Sequence, residues 1–127
     1  MAAGITVTHR KEWEFHILTF TGEINQTELQ KNFSEASGFL GDTKAPSVVL
    51  DLSQISYINS GFIGYVSELY ATIDGNEGKL VIIGNPVIDD TFDLVGMGDF
   101  VSIVADQKSA LEVLGQFVKA REYGFAD

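Results

Sequence analysis

The segment Ser47–Val66, SVVLDLSQISYINSGFIGYV, restricts the fold more than any other part of the chain. Val48, Val49 and Leu50 make an apolar, β-branched run closed by Asp51, too short for a helix core and suited to a strand buried on both faces. That strand is expected to end at Asp51. Leu52, Ile55 and Ile58 follow, then a polar, flexible step at Asn59-Ser60-Gly61, then apolar positions at helical spacing: Phe62, Ile63, Val66, Leu69, Tyr70 and Ile73. A strand that hands over to a helix through small polar residues exposes free backbone N–H groups at the carboxyl edge of a sheet, where α/β proteins place their sites.

The rest of the chain can be read around this junction. Ile5–Thr8 is β-prone, the charged run His9-Arg10-Lys11-Glu12 breaks it, and Glu14–Thr21 resumes as a longer strand, together a strand pair. Gly22-Glu23-Ile24-Asn25 turns the chain, and Asn25 with Glu28 fits a capping box for a helix that buries Leu29, Phe33, Ala36 and Leu40. After the second helix, Asp74–Gly78 is a turn and Lys79–Ile83 a second central strand. Asn85-Pro86 starts a short helix, with Asn85 as its cap and Val87, Ile88, Phe92, Leu94 and Val95 as its apolar contacts, stopped at Gly96-Met97-Gly98. Phe100–Val104 is the last strand. Asp106 caps a final helix with Ala110, Leu111, Leu114, Phe117 and Val118 on one face. Strands alternating with helices in this order imply an α/β fold with a mixed, mostly parallel sheet of about four to five strands and about four helices, its extra N-terminal strand at one edge.

At 127 residues one domain is expected, with its core from about residue 14 to 120 and a tail over 121–127. The absence of cysteine excludes disulfides and thiolate metal sites. No run approaches the roughly 18 to 20 apolar residues of a membrane helix, and MAAGITVTHRKEWEF lacks a signal-peptide core, so the expected location is the cytoplasm. A formal charge of −10, with only 8 scattered Lys and Arg, argues against nucleic acid and anionic membranes as partners.

The order and spacing of several short motifs resemble the STAS domain, the fold of bacterial anti-sigma factor antagonists. Gly22-Glu23-Ile24-Asn25 stands before the first helix, Val48-Val49-Leu50-Asp51-Leu52-Ser53 at the central strand, and Ile58-Asn59-Ser60-Gly61-Phe62-Ile63-Gly64 at the second helix. Gly78-Lys79-Leu80, Gly84-Asn85-Pro86-Val87, Leu94-Val95-Gly96-Met97 and Ala110-Leu111 fall in place further on, so the likeness runs from about Glu14 to Ala120. What it implies is a non-enzymatic module in a partner-switching circuit. Such a module binds an anti-sigma factor that is also a serine kinase-like ATPase, with a phosphatase as a further partner, and phosphorylation at the start of the second helix reverses the binding. A phosphoserine adds about −1.5 to −2 charges to that surface. No catalytic residue, cofactor or metal is implied.

This chain departs from the family pattern at that point. The usual phosphoacceptor position is occupied by Gly61, Asn59 replaces an aspartate, and Ser60 matches the residue before the acceptor. Ser60 is therefore either a displaced phosphoacceptor or an N-cap hydroxyl that satisfies free helix N–H groups, and Asn59 is a turn or cap residue. The expected partner-binding set is Asn59, Ser60, Gly61, Phe62 and Gly64. The alternative is a sensor that holds a small anionic ligand or nucleotide at the same helix start.

Other constellations carry less. Asp51 at a strand end invites comparison with a response-regulator receiver, but the first strands supply no acidic pair for Mg²⁺. Asp89-Asp90 at a helix start complements the macrodipole. His9 and His16 sit near no nucleophile in sequence and make a poor metal set. Trp13, beside an edge strand, is either an interface anchor or a partly buried core aromatic.

Overall fold

The computed structural model describes residues 4–122. Its elements are β1 (Ile5–Glu12), β2 (Phe15–Gly22), α1 (Leu29–Leu40), β3 (Ser47–Gln54), α2 (Ser60–Gly75), β4 (Lys79–Ile83), α3 (Pro86–Leu94), β5 (Ser102–Val104) and α4 (Gln107–Glu122), with one 3₁₀ turn at Met97–Asp99. The sheet order is β1-β2-β3-β4-β5; β1 runs antiparallel to β2, and the other pairs are parallel.

Apolar runs in the central strands reflect helices on both faces of the sheet. On β3, Val48, Leu50 and Leu52 pack with α1, α2 and α3, whereas Val49 points the other way onto Ala110, Leu114 and Val118 of α4. β4 divides likewise, Leu80 and Ile82 to the first layer and Val81 and Ile83 to the second. The first layer is centred on an aromatic triad. Phe20, Phe33 and Phe62 meet edge to face with centroids 5.2–6.1 Å apart, bringing β2, α1 and α2 together.

Several local expectations are corrected. The charged run His9–Glu12 does not break β1, which pairs with β2 along its whole length through Glu12 opposite Phe15. An edge strand tolerates charge because one of its sides stays in water. Trp13 occupies the hairpin turn with φ 58° and is 71% exposed, touching Phe15 edge-on, so it is not a core aromatic. β3 continues past Asp51 to Gln54. Asn25 does not cap α1: its Oδ1 accepts from the Thr27 backbone N–H and hydroxyl, making a turn one step earlier, and Glu28 stands at the N-cap without a side-chain bond. On α3, Ile88 and Phe92 are buried while Val87 and Leu94, with Val95 just past the helix end, are exposed. Arg121 and Glu122 belong to α4 and not to a tail; the remaining tail residues, 123–127, lie outside the described region.

Candidate functional site

The carboxyl ends of β3 and β4 deliver the loops before α2 and α3 to one edge of the sheet. Asn85 ties those loops together. Its Oδ1 accepts from Ile88 N–H at 2.9 Å as the α3 cap, and its Nδ2 donates to the carbonyls of Ser53 and Ile55 at 3.1 and 2.9 Å. Asp51 Oδ1 accepts from the Ser53 N–H and hydroxyl inside β3, where the pairing with β2 shifts register. Ile55 and Ile58 are buried and anchor the connecting loop, while Ser56 and Tyr57 between them face solvent. Tyr57 is 64% exposed and, with Glu23, Ile24 and Ser56, lines a shallow cavity of about 230 Å³.

Asn59 begins α2. With φ −123° and ψ 179° it has the extended backbone of an N-cap residue, and its Oδ1 accepts from Phe62 N–H at 2.9 Å. Its Nδ2 donates to Gln26 Oε1 at 2.8 Å, linking the second helix to the turn before the first. Ser60 is the first helical residue and is exposed. No side-chain hydrogen bond involves its hydroxyl among the described residues. Of the two roles open to Ser60 in the sequence, the N-cap role thus falls to its neighbour.

Gly61 is half-buried under that bridge. A Cβ there would lie 3.1 Å from Gln26 Nε2 and 3.4 Å from Asn59 Oδ1. Gly64, one turn on, is exposed, with nothing within 4 Å of the position a Cβ would take. Phe62 is the exception in the expected binding set: it is fully buried in the aromatic triad and has no surface to offer a partner. Helical geometry explains this, since each residue rotates about 100° from the last, turning Phe62 inward between Ser60 and Gly64. The sequence therefore brings Asn59, Ser60, Gly61 and Gly64 to one exposed helix start and removes Phe62 from it. It missed Tyr57 and Gln26. The alternation of buried Ile55 and Ile58 around an aromatic was a usable signal for the first, whereas Gln26 is joined to the site only by the fold.

None of the loop residues 22–28, 55–61 and 84–86 is Lys or Arg, so the helix N-terminus supplies the positive potential there. Among the described residues there is no group of three or more His, Cys, Asp or Glu that could hold a metal, and no helix long and apolar enough to cross a membrane.

Solved structures of this architecture include an anti-sigma factor antagonist from Mycobacterium paratuberculosis, 17% identical, covering 90% of this chain and 98% of that one with a TM-score of 0.78. An anti-sigma-factor antagonist (STAS) domain protein from Planctomyces limnophilus is 18% identical, over 89% and 99% of the two chains, with a TM-score of 0.74. The Bacillus cell fate determinant SpoIIAA in its phosphorylated form is 15% identical, over 84% and 97%, with a TM-score of 0.63. These likenesses establish the fold. The family model of the STAS domain matches residues 6–110, from β1 into α4 and across the whole sheet, and this chain belongs to the STAS domain family.

Proposed function

We propose that the chain is an anti-sigma factor antagonist that docks through the start of α2 onto an anti-sigma factor of the serine kinase-like ATPase type, and that Ser60 is its phosphoacceptor. One observation carries this reading: the Ser60 hydroxyl stands in solvent at a helix N-terminus, while Asn59 performs the capping that would otherwise occupy it. The free N–H groups of that terminus accommodate a phosphate dianion, so modification changes the docking face and leaves the fold intact. The start of α2 itself, Asn59 to Gly64, is uncharged and low, with Glu23 the charge beside Tyr57. Exposed Gly64 allows close approach, and Tyr57, exposed in the loop that leads into α2, supplies the aromatic anchor that interfaces favour. That SpoIIAA has been solved in a phosphorylated form supports phosphorylation as the reversing step.

A free anionic ligand at the same place is less well served: unlike a covalently attached phosphate it would have to be held by the helix N–H groups alone, with no Lys or Arg in these loops. The test is incubation with ATP and the kinase-type anti-sigma factor, read by mass spectrometry and by titration of the complex. Phosphate on Ser60, with Ser60→Asp losing the partner and Ser60→Ala keeping it, is the expected result. Label at another residue, or equal binding by Ser60→Asp, rejects the assignment.

A further inference from the structure

We propose that the outer face of α3 and the turn following it form a second docking surface, which takes a basic amphipathic helix from a protein partner. Seven large hydrophobic residues are exposed among those described, and four of them, Val87, Leu94, Val95 and Phe100, fall in this one short segment. Leu94 is 87% exposed and Val95 and Phe100 about half. Val87 and Leu94 lie two turns apart on α3 and share a face. Successive tight turns, Gly96 N–H to Asp93 O, Asp99 N–H to Gly96 O and Phe100 N–H to Met97 O, carry the chain from the end of α3 to Phe100. Its ring lies against Tyr70 of α2, centroids 5.3 Å apart, so the apolar surface continues onto the second helix. Tyr70 is about 15 Å along α2 from Ser60 at the helical rise, so this surface is separate from the helix start.

Charge selects the occupant. From Leu80 to Gln107 the chain carries Asp89, Asp90, Asp93, Asp99 and Asp106 and no Lys, Arg or His. Asp106 is engaged in capping α4 and Asp89 turns toward Gly84 and Ile103; Asp90, Asp93 and Asp99 are exposed near the apolar side chains, and the ion pairs among the described residues, Arg10 with Glu12 and Arg121 with Glu14, leave them free. A second copy of the chain would set aspartate against aspartate, and an anionic lipid surface would be repelled. The surface consists of side chains along a helix and not of an open sheet edge, so it suits another helix better than an added strand. An apolar stripe bordered by Lys or Arg answers both the patch and its rim.

The probe is a synthetic Lys/Leu peptide with leucines at helical spacing, compared with a scrambled peptide of the same composition, titrated into the full chain with hydrogen exchange as a second readout. The patterned peptide is expected to bind about tenfold more tightly than the scrambled one. Leu94→Ser and the pair Asp90→Asn with Asp93→Asn should each weaken it severalfold, Ser60→Asp should not, and protection should fall on residues 87–101. The substituted side chains are exposed, and an unchanged melting temperature verifies the fold of each variant. Equal binding of the two peptides, protection elsewhere, or wild-type affinity in Leu94→Ser overturns the proposal. So does a wild-type dimer that Leu94→Ser converts to monomer, which would assign the patch to self-association.

Discussion

Asn59 Nδ2 donates to Gln26 Oε1 at 2.8 Å across a sequence separation of 33, and the bridge passes directly over Gly61. A side chain at residue 61 would press on the Gln26 amide, whose Nε2 lies 3.1 Å from the position a Cβ would take.

Placing serine at residue 61 is expected to cost little and to act through Gln26. A Cβ 3.1 Å from Gln26 Nε2 makes that flexible amide give by a few tenths of an ångström, which weakens an exposed hydrogen bond worth about 0.5–1 kcal/mol in full. Gly61→Ser should therefore lose at most that amount through Gln26, offset by helix propensity, for a net change within about 0.5 kcal/mol, whereas Gln26→Ala, which removes the bond, should cost about 0.5–1 kcal/mol. The double variant should cost clearly less than the sum, because the amide is already gone. Urea denaturation of the four proteins checks this. Additive costs would show that Gln26 is not the obstacle.

The division of labour between Asn59 and Ser60 is equally measurable. Asn59→Ala removes the α2 cap and the Gln26 bridge together and should cost about 1–2 kcal/mol. Ser60→Ala, at an exposed first helical position with no bond to lose, should stay within about 0.5 kcal/mol of wild type. A large loss in Ser60→Ala would return the cap role to the serine and weaken its candidacy as acceptor.

These two residues also show where sequence reading stops. Asn and Ser are both good caps, and which of them serves depends on which has the extended backbone, here Asn59 with ψ 179°. The buried strands were legible because Val48, Val49 and Leu50 have no polar alternation to explain away. Phe62 was legible as core from its helical spacing and was misplaced into the site by its nearness to Ser60 in sequence, which a helix does not convert into a shared face. Asn85 was readable as a cap from the following proline, yet its two donations to Ser53 and Ile55 belong to residues about 30 positions away. Leu94 and Val95, apolar contacts of α3 by sequence, are exposed, because periodicity reports apolar positions and not what covers them.

Asn85 should consequently behave as more than a cap. Asn85→Asp keeps the acceptor for Ile88 N–H and loses both donations, leaving two loop carbonyls facing a carboxylate; a cost of about 1–2 kcal/mol is expected. Asn85→Ala loses the cap as well and should cost about 2–3 kcal/mol. Because the loop so held leads into α2, hydrogen exchange in residues 53–58 should accelerate in Asn85→Asp while α3 stays protected. Unchanged exchange in that loop would mean that the two donations do not restrain it.

The remaining prediction concerns His16, which is buried on the α1 side of β2 with its Nε2 lacking a partner, and whose Nδ1 lies 3.0 Å from His9 Nε2. A contact of that length holds one proton between the two rings, and Phe39 of α1 stacks on His9 from above. His16 titrates below its ordinary value of 6.5, first because burial penalises the imidazolium and then because His9 and the cross-strand Lys11 add positive charge. The unfolded chain accordingly takes up this proton at a higher pH than the folded one does. The stability tied to neutral His16 is complete above the unfolded value near 6.5 and is lost as pH falls from there through the lower folded value. Urea midpoints measured between about pH 7.5 and about pH 5.5 should fall more steeply for wild type than for His16→Leu, which cannot titrate and fills the same apolar layer. Carboxylates protonate in both proteins and largely cancel in the difference. Parallel slopes would mean that His16 takes its proton equally well in the folded and unfolded chains.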